Sequence, residues 1–220
     1  MAVKIALAAS LLEAGVLQPC PTFDGLEKIG SGGTASAVYR YGVGSVLKEG
    51  RDGSEALLQN ECKILRRLEA AGVGNVERCA DVCLSSSSIS LVLTPYVGRE
   101  AVATLDAIPD EEKRHNLEEK LMQTVAESVA MAGVANSDVQ LLATSDDLLV
   151  IDWTEAKELS TPLTFLDAAL VRSFASEALA LMPSEDVAFA RQALLDAATS
   201  SLGSDSSPQA AQVLREFARD

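Results

Sequence analysis

The sequence is short of basic residues: Lys and Arg total 18 against 32 Asp and Glu, giving a net charge of −14 at pH 7 over 220 residues. A surface so biased repels phosphate backbones, which argues against nucleic acid and against an anionic membrane as partners. Histidine occurs once, at His115, and the four cysteines (Cys20, Cys62, Cys79, Cys83) lack the paired spacing of a zinc site. They are expected as free thiols, buried or half-buried, in a reducing compartment. No run reaches about eighteen uninterrupted apolar residues, the length at which a membrane span is read. The opening MAVKIALAASLLEAGVL is interrupted by Glu13 and reads as a packed amphipathic helix rather than a secretory signal. No internal repeat is visible.

What the chain does have is apolar residues, 48% of the total, ample for a core. After Pro19 and Pro21, short β-prone pieces at 37–41 and 45–47 are separated by glycines at hairpin spacing, which predicts an antiparallel sheet. Residues 54–71 place Leu57, Leu58, Ile64, Leu65 and Leu68 at helical spacing, with Gly72 as a stop. Two more strands follow at 76–84 and around SISLVLTPYV, joined by a turn at 85–88, and Pro95 interrupts the sheet. From about residue 110 the pattern is helical: DEEKRHNLEEKLMQTVAESVAMAG to Gly133, then TFLDAALVRSFASEALALM, then SEDVAFARQALLDAATSSL with Ser184 and its acidic neighbours as a cap. His115, among charged residues, is expected to face solvent. Strands with one helix followed by helices predict a two-lobed α+β chain with its cleft near Pro95.

Within the helix at 54–71, Glu61 lies four residues from both Leu57 and Leu65, so it shares their face and points inward. A buried carboxylate requires a cation, and Lys48, at the end of SVLK on a neighbouring strand, is the candidate. Spacing alone equally allows Glu61 to lie solvated at the edge of that face. Upstream, Gly30, Gly32 and Gly33 suit either a hairpin turn or a loop whose N–H groups approach phosphate. Further on, NSD carries Asp138, and the apolar run LLVI ends in Asp152.

In this order, IGSGGTASAVYR, VLK, NECKIL, LVLTPYV, NSD and LLVIDW resemble the protein kinase-like superfamily over about residues 24–175, although each motif by itself is unspecific. The resemblance implies a two-lobed protein kinase-like fold. Its N-lobe, residues 23–97, would hold an antiparallel sheet plus one helix, and its reduced helical C-lobe, residues 98–203, would lack an activation segment. A helical extension at 1–22 and a linker with a short helix at 204–220 would flank them. Gly30, Ser31, Gly32, Gly33 and Thr34 would cover the ATP phosphates, with Lys48 holding the α- and β-phosphates and Glu61 pairing with it. Tyr96 would contact adenine, Asp138 would be the catalytic Asp that orients the acceptor, and Asp152 would bind Mg²⁺ or Mn²⁺.

The chain departs from the family pattern in four places. Ala35 stands where the third glycine belongs. Asn136 and Ser137 replace His and Arg before Asp138, and Trp153 and Thr154 follow Asp152 in place of Phe and Gly. The second metal ligand, an Asn five positions after Asp138, is Ala143; with a loop about three residues short between Gln140 and Leu141 by analogy, either Gln140 substitutes through its amide oxygen or one Mg²⁺ is dropped. Asp167, fifteen positions after Asp152, either braces the catalytic loop or begins a helix. The resemblance therefore implies an atypical ATP-dependent kinase acting on a Ser/Thr hydroxyl of a protein substrate. It would be cytoplasmic, or placed in a host cytosol if the chain is an effector. The alternatives are a pseudokinase or nucleotide-binding regulatory scaffold and, third, a small-molecule phosphotransferase.

Overall fold

A computed structural model describes residues 18–20, 23–32, 35–84, 89–95, 101–201 and 207–220. Among these the protein is α+β, with a largely antiparallel six-stranded sheet and five α-helices. The expected helix at 1–22, apart from residues 18–20, and the turn at 85–88 lie outside the described residues, as do Gly33, Thr34 and Tyr96. The chain divides into two compact units, Met1–Lys63 with Arg78–Tyr96, and Ile64–Glu77 with Val97–Asp220.

The first unit is built on strands β1 (Gln18–Pro19), β2 (Lys28–Gly32), β3 (Ala35–Tyr41), β4 (Ser45–Gly50), β5 (Arg78–Leu84) and β6 (Ile89–Thr94). They run in the order β1-β5-β6-β4-β3-β2, all pairs antiparallel except β1 with β5. Glycines at positive φ, Gly42 and Gly44, turn β3 into β4. Helix α1 (Glu55–Ala70) follows, starting just after Gly50, where a Cβ would sit 2.6 Å from Leu58 Cδ1 and 2.5 Å from Ile89 O. Only glycine allows that approach. The inward stripe of the helix is Leu58, Glu61, Leu65 and Leu68, all fully buried, while Leu57 is 39% exposed. The helical period selects Leu58 over its neighbour, so the face expected through Leu57 is rotated by one position.

The expectation of free thiols is overturned. Cys20 is bonded to Cys83 and Cys62 to Cys79, and no cysteine is free. Parallel pairing of Gln18 with Cys83 brings Cys20 alongside β5, and the second bridge ties α1 to the same strand. These are tertiary neighbours, invisible in the spacing of four cysteines, and the argument for a reducing compartment falls with the thiols.

The second unit is mainly helical: α2 (Glu111–Ala130), α3 (Phe165–Leu179), α4 (Val187–Ser200) and α5 (Pro208–Arg219). Helix α2 packs on α3, α4 and α5, burying Leu117, Leu121, Met122, Val125 and Val129. The β8–β9 hairpin (Gln140–Ala143, Leu148–Ile151) and the short β7 (Val134–Ala135) and β10 (Lys157–Glu158) complete the unit. Trp153 packs edge-on against Phe174, with ring centroids 5.9 Å apart. Among the described residues no helix is long and apolar enough to cross a membrane.

Three local expectations are corrected or settled. Of Ser184 and its acidic neighbours it is Asp186 that stands at the N-cap of α4, without a capping bond from its side chain. His115 is half-buried rather than fully solvent-facing: its ring stacks on Phe189 at 4.3 Å and its Nε2 lies 3.1 Å from Asp186. Asp167 occupies the N3 position of α3 in a capping box with Thr164. Hydrogen bonds from Thr164 and Ser160 hold its carboxyl below the usual carboxylate value.

Two measurements check these assignments. Alkylation of the denatured, unreduced protein is expected to modify no cysteine and, after reduction, four; closing the 17-residue loop by Cys62–Cys79 stabilises by about 3 kcal/mol on chain-entropy grounds. Because folding lowers the pKa of Asp167, its contribution is present above the ordinary value and is lost as pH falls through the folded one. Asp167→Asn is therefore expected to lower Tm at neutral pH, with the deficit closing as pH falls through the folded-state pKa of Asp167.

Candidate functional site

Lys48 is on the central strand β4, paired with Val38 in β3 and Leu91 in β6. That position fixes its backbone on both sides and directs its side chain to one face of the sheet. Glu61 stands in α1, two turns past the helix start. Lys48 Nζ donates to Glu61 Oε1 at 2.9 Å and to Oε2 at 3.0 Å. The two side chains are 8% and 0% exposed, so the solvated alternative for Glu61 is excluded. In such surroundings a single charge is costly, and the pair is tolerated because both oxygens are used.

Gly30, Ser31 and Gly32 belong to β2, whose pairing with β3 is interrupted by register shifts at residues 28–30 and 30–32. Gly30 does not adopt a positive φ, and a Cβ there would make only ordinary contact with Val38 at 3.9 Å. The tip at Gly33 and Thr34, and Tyr96 after β6, lie outside the described residues.

In the second unit the β8–β9 hairpin brings Asp138 and Asp152 together. Gln140 pairs with Ile151 and Leu141 with Val150, so the residues just before β8 and just after β9 meet at the open end. Gln140 Nε2 donates to Asp138 Oδ2 at 2.9 Å and to Asp152 Oδ2 at 3.5 Å. It thus presents its amide nitrogen, the donor, to both carboxylates. The amide oxygen expected for a metal ligand is the other half of the same group and requires a half-turn of the terminal torsion.

Three residues to which the sequence assigned no role in the site hold this end in place. Asn136, fully buried, donates through Nδ2 to the carbonyls of Asp138 at 2.8 Å and Asp152 at 3.2 Å. Glu77 Oε1 accepts the Asp152 N–H at 2.7 Å, because residues 75–77 run beside β9 through a bridge between Val76 and Val150. Thr154 Oγ1 donates to Asp152 Oδ1 at 2.6 Å. Asp152 has φ of 56°, a left-handed conformation that Asp and Asn adopt more readily than other non-glycine residues. Asn136 is the one with a sequence signal: an amide two residues before an Asp is poised to bond its backbone.

The structure thus brings together Lys48 with Glu61 in the first unit, and Asp138 with Gln140 and Asp152 in the second. No protein-family model and no curated protein matches the chain.

Lys48→Met leaves Glu61 buried without its cation and is expected to cost about 3–5 kcal/mol in urea denaturation, whereas Lys48→Met with Glu61→Met recovers most of it. Equal stability of the single and double variants would show that the pair is not buried as described.

Proposed function

We propose that the protein is an atypical ATP-dependent kinase of the protein kinase-like superfamily that transfers the γ-phosphate to a Ser/Thr hydroxyl of a protein. The observation that carries this reading is the buried Lys48–Glu61 pair, made through both carboxylate oxygens. A lysine fixed this way offers a phosphate a cation already held in position. The carboxylates at the open end of β8–β9 supply the other half of the chemistry.

The donor set there fits a divalent ion: Asp138 and Asp152 each place a carboxylate oxygen on one Gln140 Nε2, so both reach a single central donor. Asp152, with the Gln140 amide oxygen after its half-turn, would hold Mg²⁺ or Mn²⁺, which supplies charge neutralisation at the β- and γ-phosphates. Asp138 is exposed, and its Oδ1 accepts the proton of the acceptor hydroxyl as that oxygen bonds to the γ-phosphorus. The bond from the γ-phosphorus to the β-phosphate oxygen breaks and ADP leaves. Asn136, Glu77 and Thr154 keep Asp152 oriented throughout.

A pseudokinase is the second reading, favoured by one observation: the Gln140 nitrogen already occupies the space between the two carboxylates. Such a protein binds nucleotide without turnover and regulates a partner.

Transfer from γ-labelled ATP with Mg²⁺ or Mn²⁺, to the protein itself or to a proteome extract, tests the proposal. Asp152→Asn is the appropriate variant, because Asn tolerates the left-handed φ where Ala is strained. Transfer is expected in the wild type and a loss of at least about 100-fold in Asp152→Asn. Absence of transfer with either ion overturns the kinase reading, and a rise in Tm with Mg-ATP in that case supports the pseudokinase.

A further inference from the structure

Apart from Lys48, Asp138 and Asp152, the second unit holds another group of potential ligands that the proposed reaction does not use. His115 and Glu118, three residues apart on α2, share a face with Arg114 directed at the start of α4, where Asp186 stands. The ligand atoms of His115, Glu118 and Asp186 all lie within 4.8 Å of one another. Asp186 sits at the N-cap of α4 yet makes no capping bond with its side chain. Its Oδ1 lies 3.1 Å from His115 Nε2, and its Oδ2 accepts from Arg114 Nε at 2.6 Å.

An acidic cluster alone would mean little. The decisive observation is Glu118, which is fully buried, receives no hydrogen bond from a protein donor at either carboxylate oxygen, and lies against the Asp186 carboxylate. The nearest cation, Arg114 Nε, is 3.8 Å from Oε1 and already committed to Asp186. A buried carboxylate in this state needs a cation or a proton beside it. Its neighbours are an imidazole nitrogen and a second carboxylate oxygen.

We propose that His115 Nε2, Glu118 and Asp186 bind a borderline divalent cation of the Zn²⁺ class. One nitrogen and two carboxylate oxygens are a donor set for Zn²⁺, with a fourth position left for water. Metal–ligand distances of about 2.0–2.1 Å put ligand atoms of a tetrahedral site about 3.3 Å apart, close to the His115–Asp186 spacing. The outer separation within the group closes by movement of one carboxylate on the order of 1 Å. Phe189, stacked on the imidazole, fixes the ring plane. Arg114, which also donates to the carbonyl of Ile108 at 3.2 Å, holds the Asp186 oxygen not needed by the ion, the outer-shell support that ligating carboxylates require. The His115 side chain is 29% exposed, so an ion enters from that side. Bound there, it clamps the start of α4 onto α2.

The competing occupant is a proton on Glu118: burial, with the Asp186 carboxylate beside it, pushes that carboxyl up to about 8. Metal binding separates the two. The full-length protein, stripped with chelator and titrated with Zn²⁺ by calorimetry, is expected to bind one ion at this site and to rise in Tm with Zn²⁺ concentration. Co²⁺ is expected to give the intense visible absorption of a four-coordinate site, and Mg²⁺, which avoids imidazole, is expected to do neither. His115→Ala, Asp186→Asn and Glu118→Gln should each weaken Zn²⁺ more than tenfold, while Asp152→Asn, in the other carboxylate group, should leave it unchanged. The isosteric Glu118→Gln guards against loss of the fold. No Zn²⁺ binding, or binding that survives His115→Ala and Glu118→Gln, overturns the site. A failure of phosphate transfer does not bear on it.

Discussion

Burying Glu61 is the constraint around which the first unit is arranged. A carboxylate with no solvent exposure, four residues from a fully buried leucine on an amphipathic helix, is tolerable only if a cation is delivered to it in a fixed place. The delivery comes from β4, held between β3 and β6, so that Lys48 cannot drift along its strand. On the helix side, Leu58 packs where Gly50 leaves room, and Cys62, the residue after Glu61, is bonded to Cys79 in β5. Helix and sheet are thus tied together one residue from the charge they share. A fold that needed only stability would place a hydrophobic residue at each position. A lysine held in a fixed place by an acid is what an anionic ligand requires.

The second unit repeats that logic with negative charge. Hairpin register sets Asp138 and Asp152 side by side, and the cost of two adjacent carboxylates is offset by donors from Gln140 and Thr154, while Asn136 and Glu77 fix the backbone that carries them. The left-handed φ of Asp152 belongs to this arrangement: it turns the chain out of β9 so that the N–H meets Glu77 while the side chain faces Gln140 and Thr154. At the start of α4 the same problem is left open, because Glu118 has both oxygens unmatched. Polar groups at the first two places are settled by an internal cation and by neutral donors, and at the third an ion from solution is the proposed partner.

Local patterns carried much of this in the sequence. Helical spacing predicted α1, α2, α3 and α4, and hairpin glycines predicted β3 and β4, because each signal lies within one element. The inward direction of Glu61 followed from the same period, although through Leu58 rather than Leu57. What the sequence concealed was non-local. Cys20–Cys83 and Cys62–Cys79 depend on which strands and helix are neighbours, and no spacing rule gives that. Glu77 reaches Asp152 across 75 residues, and His115 reaches Asp186 across 71. The charged flanks of His115 suggest solvent, yet one of them, Arg114, itself turns inward to Asp186. The direction of His115 is set by Phe189 and Asp186, on a helix that begins much later in the chain.

The central claim is that Lys48 is a phosphate-holding lysine, and it can be tested without knowing the protein substrate. An acyl phosphate of ATP transfers its acyl group to a lysine amine lying against the terminal phosphate, releasing ATP, and mass spectrometry locates the modified residue. The account predicts acylation of Lys48 that excess Mg-ATP suppresses, with the exposed Lys63 and Lys157 modified to the same extent whether or not Mg-ATP is present. Labelling confined to those exposed lysines, with Lys48 untouched, would contradict it.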